Sequence, residues 1–314
     1  MFQKYNKIEN SYRLGTEITV NKNDLFVVSE KIHGANFGMY YDKDGFSCAS
    51  RNNKLSEDAS FNNFKYALEK ADIETKMNKI YKMLGKRDFI MYGEIFGGNY
   101  PHPEVPKGKF KMVQKGVYYS PDINILAFDI CVEGKYLSYI EFENICKEVD
   151  FPYIKAQFVG KLVYCLNYSN EFQSNIPDYY GLPPINYNIC EGVVIRGYAE
   201  DFKDHRGNRI IIKNKNEKFS EKQKTKKVFV EDTNIIEVVG KISPFICENR
   251  LNNVLSKMTD DEKVIQNFGK IMSLFVNDCI TDIQEEHPDI EFSKKLKSHM
   301  SKKCAGLVKE YFKV

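Results

Sequence analysis

Three short apolar runs in this chain each carry a charged residue at one end, beside a glycine: "LFVVSEKIHG", "FIMYGEIFGG" and "CEGVVIRG". β-Branched and aromatic residues over such lengths read as strands, and a strand apolar on both faces belongs to a buried sheet. A charge at the end of a buried strand is costly unless it reaches water, a partner or a purpose. The three runs therefore set Lys31, Glu94 and Glu191 at candidate positions in one polar site floored by a sheet, with glycines leaving room for a ligand. Taken singly, each also reads as an ordinary strand end with a turn. Their recurrence points to a site.

The chain of 314 residues is 42% hydrophobic and 28% charged, a globular composition with enough length for two domains. No apolar run approaches the roughly 18 to 20 residues that span a bilayer, and "MFQKYNKIENSYRL" lacks the apolar core of a signal peptide. These features predict no membrane partner and an intracellular, cytoplasmic location. The Asn- and Lys-rich composition would fit a viral protein in its host cell. Eight cysteines are scattered singly, without C-x-x-C pairs or His partners at metal spacing, and read as reduced, buried thiols.

A net charge of +3 gives no argument for nucleic acid, but its distribution does. Residues 213 to 227, "KNKNEKFSEKQKTKK", set seven lysines against two glutamates, either a solvated face or a backbone-binding track. Lys213 and Lys215 alternate on the strand-like "IIIKNKN" and so share one face.

From Leu25 to about Lys213, short β-rich runs alternate with Gly, Asn, Asp and Pro, and "YDKDGFS" has hairpin chemistry. A helix is expected from Ser56 to about Leu84, another around "YIEFENICKEV", and an irregular excursion through "LNYSNEFQSNIPDYYGLPPINYN". Beyond, Val264, Ile265, Phe268, Ile271, Met272, Phe275, Val276 and Cys279 form the apolar stripe of an amphipathic helix. The fold class is α+β, with residues 1–235 as a strand-rich domain and 236–314 as a small all-α domain.

In order along the chain, "EKIHGANFG", "SRNN", "YGEIFGG", "ILAFDI", "EGVVIR" and "IIIKNKNEKFSEK" resemble motifs I, Ia, III, IIIa, IV and V of the covalent nucleotidyltransferases, which comprise ATP-dependent ligases and mRNA capping enzymes. Their specific forms are similar to the RNA ligase 2 family, which includes the phage double-strand RNA ligase and the kinetoplastid RNA-editing ligases. Lys-x-His-Gly, with His33 where DNA ligases usually carry Asp, is the most telling. The C-terminal "ENRLNNVLSKM" and "NFGKIMSLFVNDC" resemble that family's appended helical, RNA-binding domain.

The resemblance implies an adenylation domain of antiparallel sheets with flanking helices, related in style to ATP-grasp folds. It implies that Lys31 forms a lysyl-AMP with ATP and that Glu30 and the backbone of Ile32 read the adenine edge. Asn36 and Arg51 would lie near the phosphates, and Glu94 would hold the ribose. The family often covers the adenine with an aromatic from motif IIIa; counting back from "AFDI" puts Ile125 there, with Val194 on the other face. His33 would serve AMP transfer to RNA, Glu191 would act through Mg²⁺ (Mn²⁺ as a substitute), and Lys213 with Lys215 would stabilise the α-phosphate. The implied partner is nicked double-stranded RNA, or an RNA-containing duplex, bound by a monomer. A DNA ligase, a capping-type enzyme and a catalytically silent RNA-binding protein stay open. His102 reads as structural.

Overall fold

The structure, a computed structural model, describes residues 2–10, 24–204, 207–219 and 233–313. It divides into two compact units, 1–216 and 217–314, an earlier boundary than the 235/236 expected from composition. The lysines of "EKQKTKK" lie outside the described residues.

In chain order the first unit contains β1 (Glu9–Asn10), β2 (Leu25–Glu30), β3 (Ala35–Asp42), β4 (Gly45–Ser50), α1 (Phe64–Lys70), α2 (Ile73–Met83), β5 (Phe89–Asn99), β6 (Ser120–Val132), β7 (Lys135–Tyr136), α3 (Tyr139–Glu148), β8 (Ala156–Lys161), α4 (Leu162–Leu166), β9 (Gly192–Gly197) and β10 (Ile211–Lys215). They make two five-stranded sheets, ordered β1-β10-β9-β2-β8 and β4-β3-β5-β6-β7. All pairings are antiparallel except β1 with β10.

The expected single helix from Ser56 to Leu84 is two helices. Asp72 adopts a left-handed backbone (φ 50°) between them, so Phe64 and Ala67 of α1 and Ile73, Met77 and Ile80 of α2 all reach one core. That core stacks Phe61 and Phe64 on Phe37 of β3, rings whose burial contributes roughly 1.5–3 kcal/mol each. Helix α3 starts as expected, with Ser138 and Glu141 closing a reciprocal capping box.

The sheets are joined by a buried ionic knot. Asp129 of β6 is fully buried and binds Arg196 of β9, Arg209 just before β10 and, at 2.7 Å, the Tyr5 hydroxyl. Burial alone would raise this carboxyl's pKa; the two guanidiniums outweigh it and hold the group below its usual range.

The second unit contains α5 (Thr233–Ile242), α6 (Glu248–Ser256), α7 (Phe268–Glu286) and α8 (Lys294–Phe312). The working stripe of α7 is Ile271, Phe275, Cys279 and Ile283, every fourth residue, in one core with Met300, Cys304 and Val308 of α8. Val264 and Ile265, expected to begin that stripe, precede the helix and are exposed. Buried Arg250 of α6 binds Asp278 and Asp282 of α7. All eight cysteines are free and buried, and no helix among the described residues is long and apolar enough to cross a membrane.

Removing one partner of a buried ion pair strands the other, at a cost of about 3–5 kcal/mol. Asp129→Ala is expected to lose about that much in urea denaturation of the full chain. A loss under about 1 kcal/mol, the scale of an exposed pair, would contradict the joining role.

Candidate active site

Strands β2 and β9 run antiparallel, pairing Glu30 with Val193, so the residues just beyond β2 meet those just before β9. The Lys31 N–H donates to the Gly192 carbonyl at 2.9 Å, and Glu191 points into the junction. Its Oε2 lies 2.8 Å from Lys31 Nζ and 3.2 Å from His33 Nδ1; its Oε1 lies 2.8 Å from Lys215 Nζ. Gly192 is required here: its φ is 144°, and a Cβ would come within 2.2 Å of the Asn214 carbonyl oxygen. Glu191 is 2% exposed. Burial would raise its pKa, but the Lys215 and Lys31 ammoniums, helped by His33, hold it well below the carboxylate range.

The second sheet supplies the facing wall. Asn36 of β3 pairs with Glu94 of β5, putting both side chains on one face, and Glu94 Oε1 accepts from the Gly34 N–H at 3.2 Å. Burial pushes Glu94 up to about 7, opposed by Lys31 and reinforced by Glu191, while the Arg51 charge reaches it from beyond β4. The site thus lies between two sheets, Lys31, Glu191 and Lys215 coming from one and Glu94 and Asn36 from the other. The expectation of a single sheet as its floor is corrected. Lys213 is half-buried on the same strand as Lys215, opposite Val194.

Ile125 does not face this cleft. It pairs with Ile95 and lies in the core beneath α1 and α2, on the opposite face from Glu94, whose register partner is Leu126. The reason is a bulge. Tyr92 pairs with Asp129 but Gly93 with Ala127, leaving Phe128 as an extra residue. Half-buried Phe128 packs with Val194 against the cluster between the sheets, its ring 5.0 Å from that of Tyr5. Its sequence signal was the aromatic directly before the aspartate of "AFDI".

Glu30 is buried, and both its oxygens are held: Oε1 accepts from Ser174 Oγ at 2.6 Å and Oε2 from the Asn175 N–H at 2.9 Å. Burial pushes it up to about 7 against these two bonds. Ile32 is buried beside it, and the His33 N–H donates to the hydroxyl of buried Tyr119 at 2.8 Å. Ser174 and Tyr119 gave no sequence signal. His102 Nδ1 accepts from the Glu104 N–H at 3.3 Å within a local turn.

The family model for RNA ligase matches residues 24–215, and that for the T4 RNA ligase 2 C-terminal region matches 228–312. The chain belongs to the RNA ligase family. Among its relatives, the mitochondrial RNA-editing ligase 2 of Trypanosoma brucei brucei is 25% identical, over 92% of this chain and 85% of that protein. The mitochondrial RNA-editing ligase 1 is 29% identical over 54% of this chain and 44% of that protein. An apo RNA ligase of Naegleria gruberi shares the fold with a TM-score of 0.50 at 19% identity, covering 68% of this chain and 55% of that one. This ligase thus spans about half the length of the last two.

The raised carboxyls give its stability a definite pH dependence. A group titrating near 7 when folded and near 4.5 when unfolded binds its proton more tightly in the folded state. Its contribution is full below about 4.5 and is lost as pH rises through 7. Glu191, depressed, acts oppositely and only below its ordinary range. Glu94→Gln is therefore expected to show a smaller change in urea midpoint between pH 5 and pH 8 than the unaltered ligase; an equal change would refute the assignment.

Proposed function

We propose that this ligase is ATP-dependent and joins a 3′-hydroxyl to a 5′-phosphate at nicks, mainly in duplex RNA, through a lysyl-AMP on Lys31 and an RNA-adenylate. The observation that carries the reading is the buried Glu191 carboxylate with Lys31, His33 and Lys215 on its two oxygens. A surface lysine has no need of such a partner. A nucleophilic lysine needs its direction fixed and cations beside the phosphate it attacks.

In the first step, the Lys31 amine attacks the α-phosphorus of ATP; an N–P bond forms, the bond to the β-phosphate oxygen breaks, and pyrophosphate leaves. Lys215, with Lys213 on the same strand face, offsets charge on the α-phosphate oxygens. In the second, an oxygen of the RNA 5′-phosphate attacks that phosphorus and the N–P bond breaks, Lys31 regaining its proton. His33, one turn beyond Lys31, serves this transfer. In the third, the 3′-hydroxyl attacks the 5′-phosphorus and AMP departs with its phosphate. Glu94 and Asn36 line the ribose and phosphate side of the cleft, Arg51 adds positive charge there, and Phe128 and Val194 cover the two faces of the adenine.

An oxygen-only donor set suits a hard divalent cation, and the depressed Glu191 carboxylate supplies one anionic oxygen. Bound there with phosphate and water oxygens, Mg²⁺ or Mn²⁺ would neutralise charge on the reacting phosphates. The second unit, helical through α5 to α8, fits an appended RNA-binding module rather than the small barrel of DNA ligases and capping enzymes.

Intact mass after ATP and Mg²⁺, without RNA, is the direct test. A gain of one AMP, absent from Lys31→Ala, is expected, followed by sealing of nicked duplex RNA in preference to nicked DNA. If ATP adds nothing and pyrophosphate removes nothing, the reading fails. Phe128→Ala is expected to raise the ATP KM for adenylylation about tenfold, the loss of one stacked base. Ile125→Ala should instead cost about 2–5 kcal/mol of stability with KM unchanged, as for a core cavity. The reverse pattern would restore Ile125 to the adenine.

A further inference from the structure

The excursion between α4 and β9 has little regular structure beyond a single 3₁₀ turn at Pro177–Tyr180, yet its polar groups turn inward to the site. Asn170 Nδ2 donates at 3.0 Å to both Asn214 Oδ1 and the Lys215 carbonyl. The Asn188 side chain accepts from the Tyr118 N–H at 2.8 Å and donates to its carbonyl at 2.6 Å. The Ser174 N–H donates to the Asn188 carbonyl at 2.9 Å, fixing the loop where Ser174 Oγ and the Asn175 N–H reach Glu30. Asn175 is held in turn by Gln157 of β8, at 2.8 Å.

The chemistry of that contact bears on which purine is read. Adenine offers an amino donor where guanine offers a carbonyl acceptor. An ionised carboxylate only accepts, whereas a protonated one can donate. Two fixed donors on a buried carboxylate favour the ionised form, set the plane of the group and leave lone pairs free on both oxygens. We propose that Ser174 and the Asn175 backbone are positioning groups that hold Glu30 as an oriented acceptor for the purine amino group, and so set the preference for ATP over GTP. This rests on Glu30 facing the base, as in the function proposed above.

Removing the Ser174 hydroxyl takes away one of the two donors. The Glu30 carboxyl is then free to turn or to hold a proton, and a protonated acid suits guanine as well as adenine. The ratio of kcat/KM for ATP to that for GTP is expected to fall about tenfold, roughly the worth of one charge-assisted hydrogen bond. The loss should appear as a higher ATP KM with kcat for adenylylation little changed.

The test is enzyme–nucleotide formation by the full-length ligase with ATP and, separately, GTP, followed by intact mass. Ser174→Ala should lower the ratio and Ser174→Thr, which keeps a donor hydroxyl, should largely retain it. A merely structural role would lower the rates with both nucleotides together and leave the ratio unmoved, which would overturn the proposal. Should Ser174→Ala fail to fold, Ser174→Cys, close in volume with a weaker donor, carries the same comparison. Absence of any adduct in the unaltered ligase would count against the ligation chemistry itself; a normal adduct with an unmoved ratio would count against Ser174 alone.

Discussion

The cleft exists because Asp129 holds two sheets at a fixed separation. A fully buried carboxylate is tolerable only when its lone pairs are satisfied, and here they take two arginines and a tyrosine from other parts of the unit. The guanidiniums are themselves seated on rings. Arg209 lies 4.0 Å from the Tyr136 centroid, and Arg196 lies 5.2 Å from both Tyr139 and Phe142. The β6 bulge makes this possible. Regular alternation would send Phe128 and Asp129 to opposite faces, whereas the extra residue turns both inward. One local irregularity thus supplies the strut between the sheets and an aromatic wall for the space it keeps open.

Glu191 is built on the same principle with different cations. Both carboxylates are buried and held below the ordinary carboxyl range by positive neighbours. Arginine stays protonated at any physiological pH, so the Asp129 knot is permanent. Lysine and histidine can surrender a proton, so the groups around Glu191 can change charge state and partner as phosphates enter and leave. The choice of cation separates a structural tie from a reactive centre, although the two are alike in burial and geometry.

Local pattern made much of this legible. Strand ends at Lys31, Glu94 and Glu191 followed from β-rich runs meeting glycine, and the start of α3 from a serine three residues before a glutamate. The helix break at Asp72 did not, because neither Gly nor Pro marks it; packing on two sides of one core selects a left-handed aspartate. Nor did the number of sheets, since pairing is a long-range choice that alternation within a strand does not encode. Ile125 was misplaced by counting back along a strand as though its period of two were unbroken. A bulge carries no composition of its own beyond the residues that fill it.

The excursion from Asn167 to Cys190 marks the deeper limit. Its Asn, Tyr and Pro content reads as loop, and as backbone it is loop. Its contribution lies in single side-chain hydrogen bonds to Glu30, Tyr118 and the end of β10, which have no periodicity and link residues as much as 145 positions apart. Hydrophobic patterning reports what must be hidden from water; it says nothing of which buried carboxylate a given serine will meet. The residues that carry charge to the reaction were therefore visible in this sequence, and those that aim them became visible only once the chain had folded.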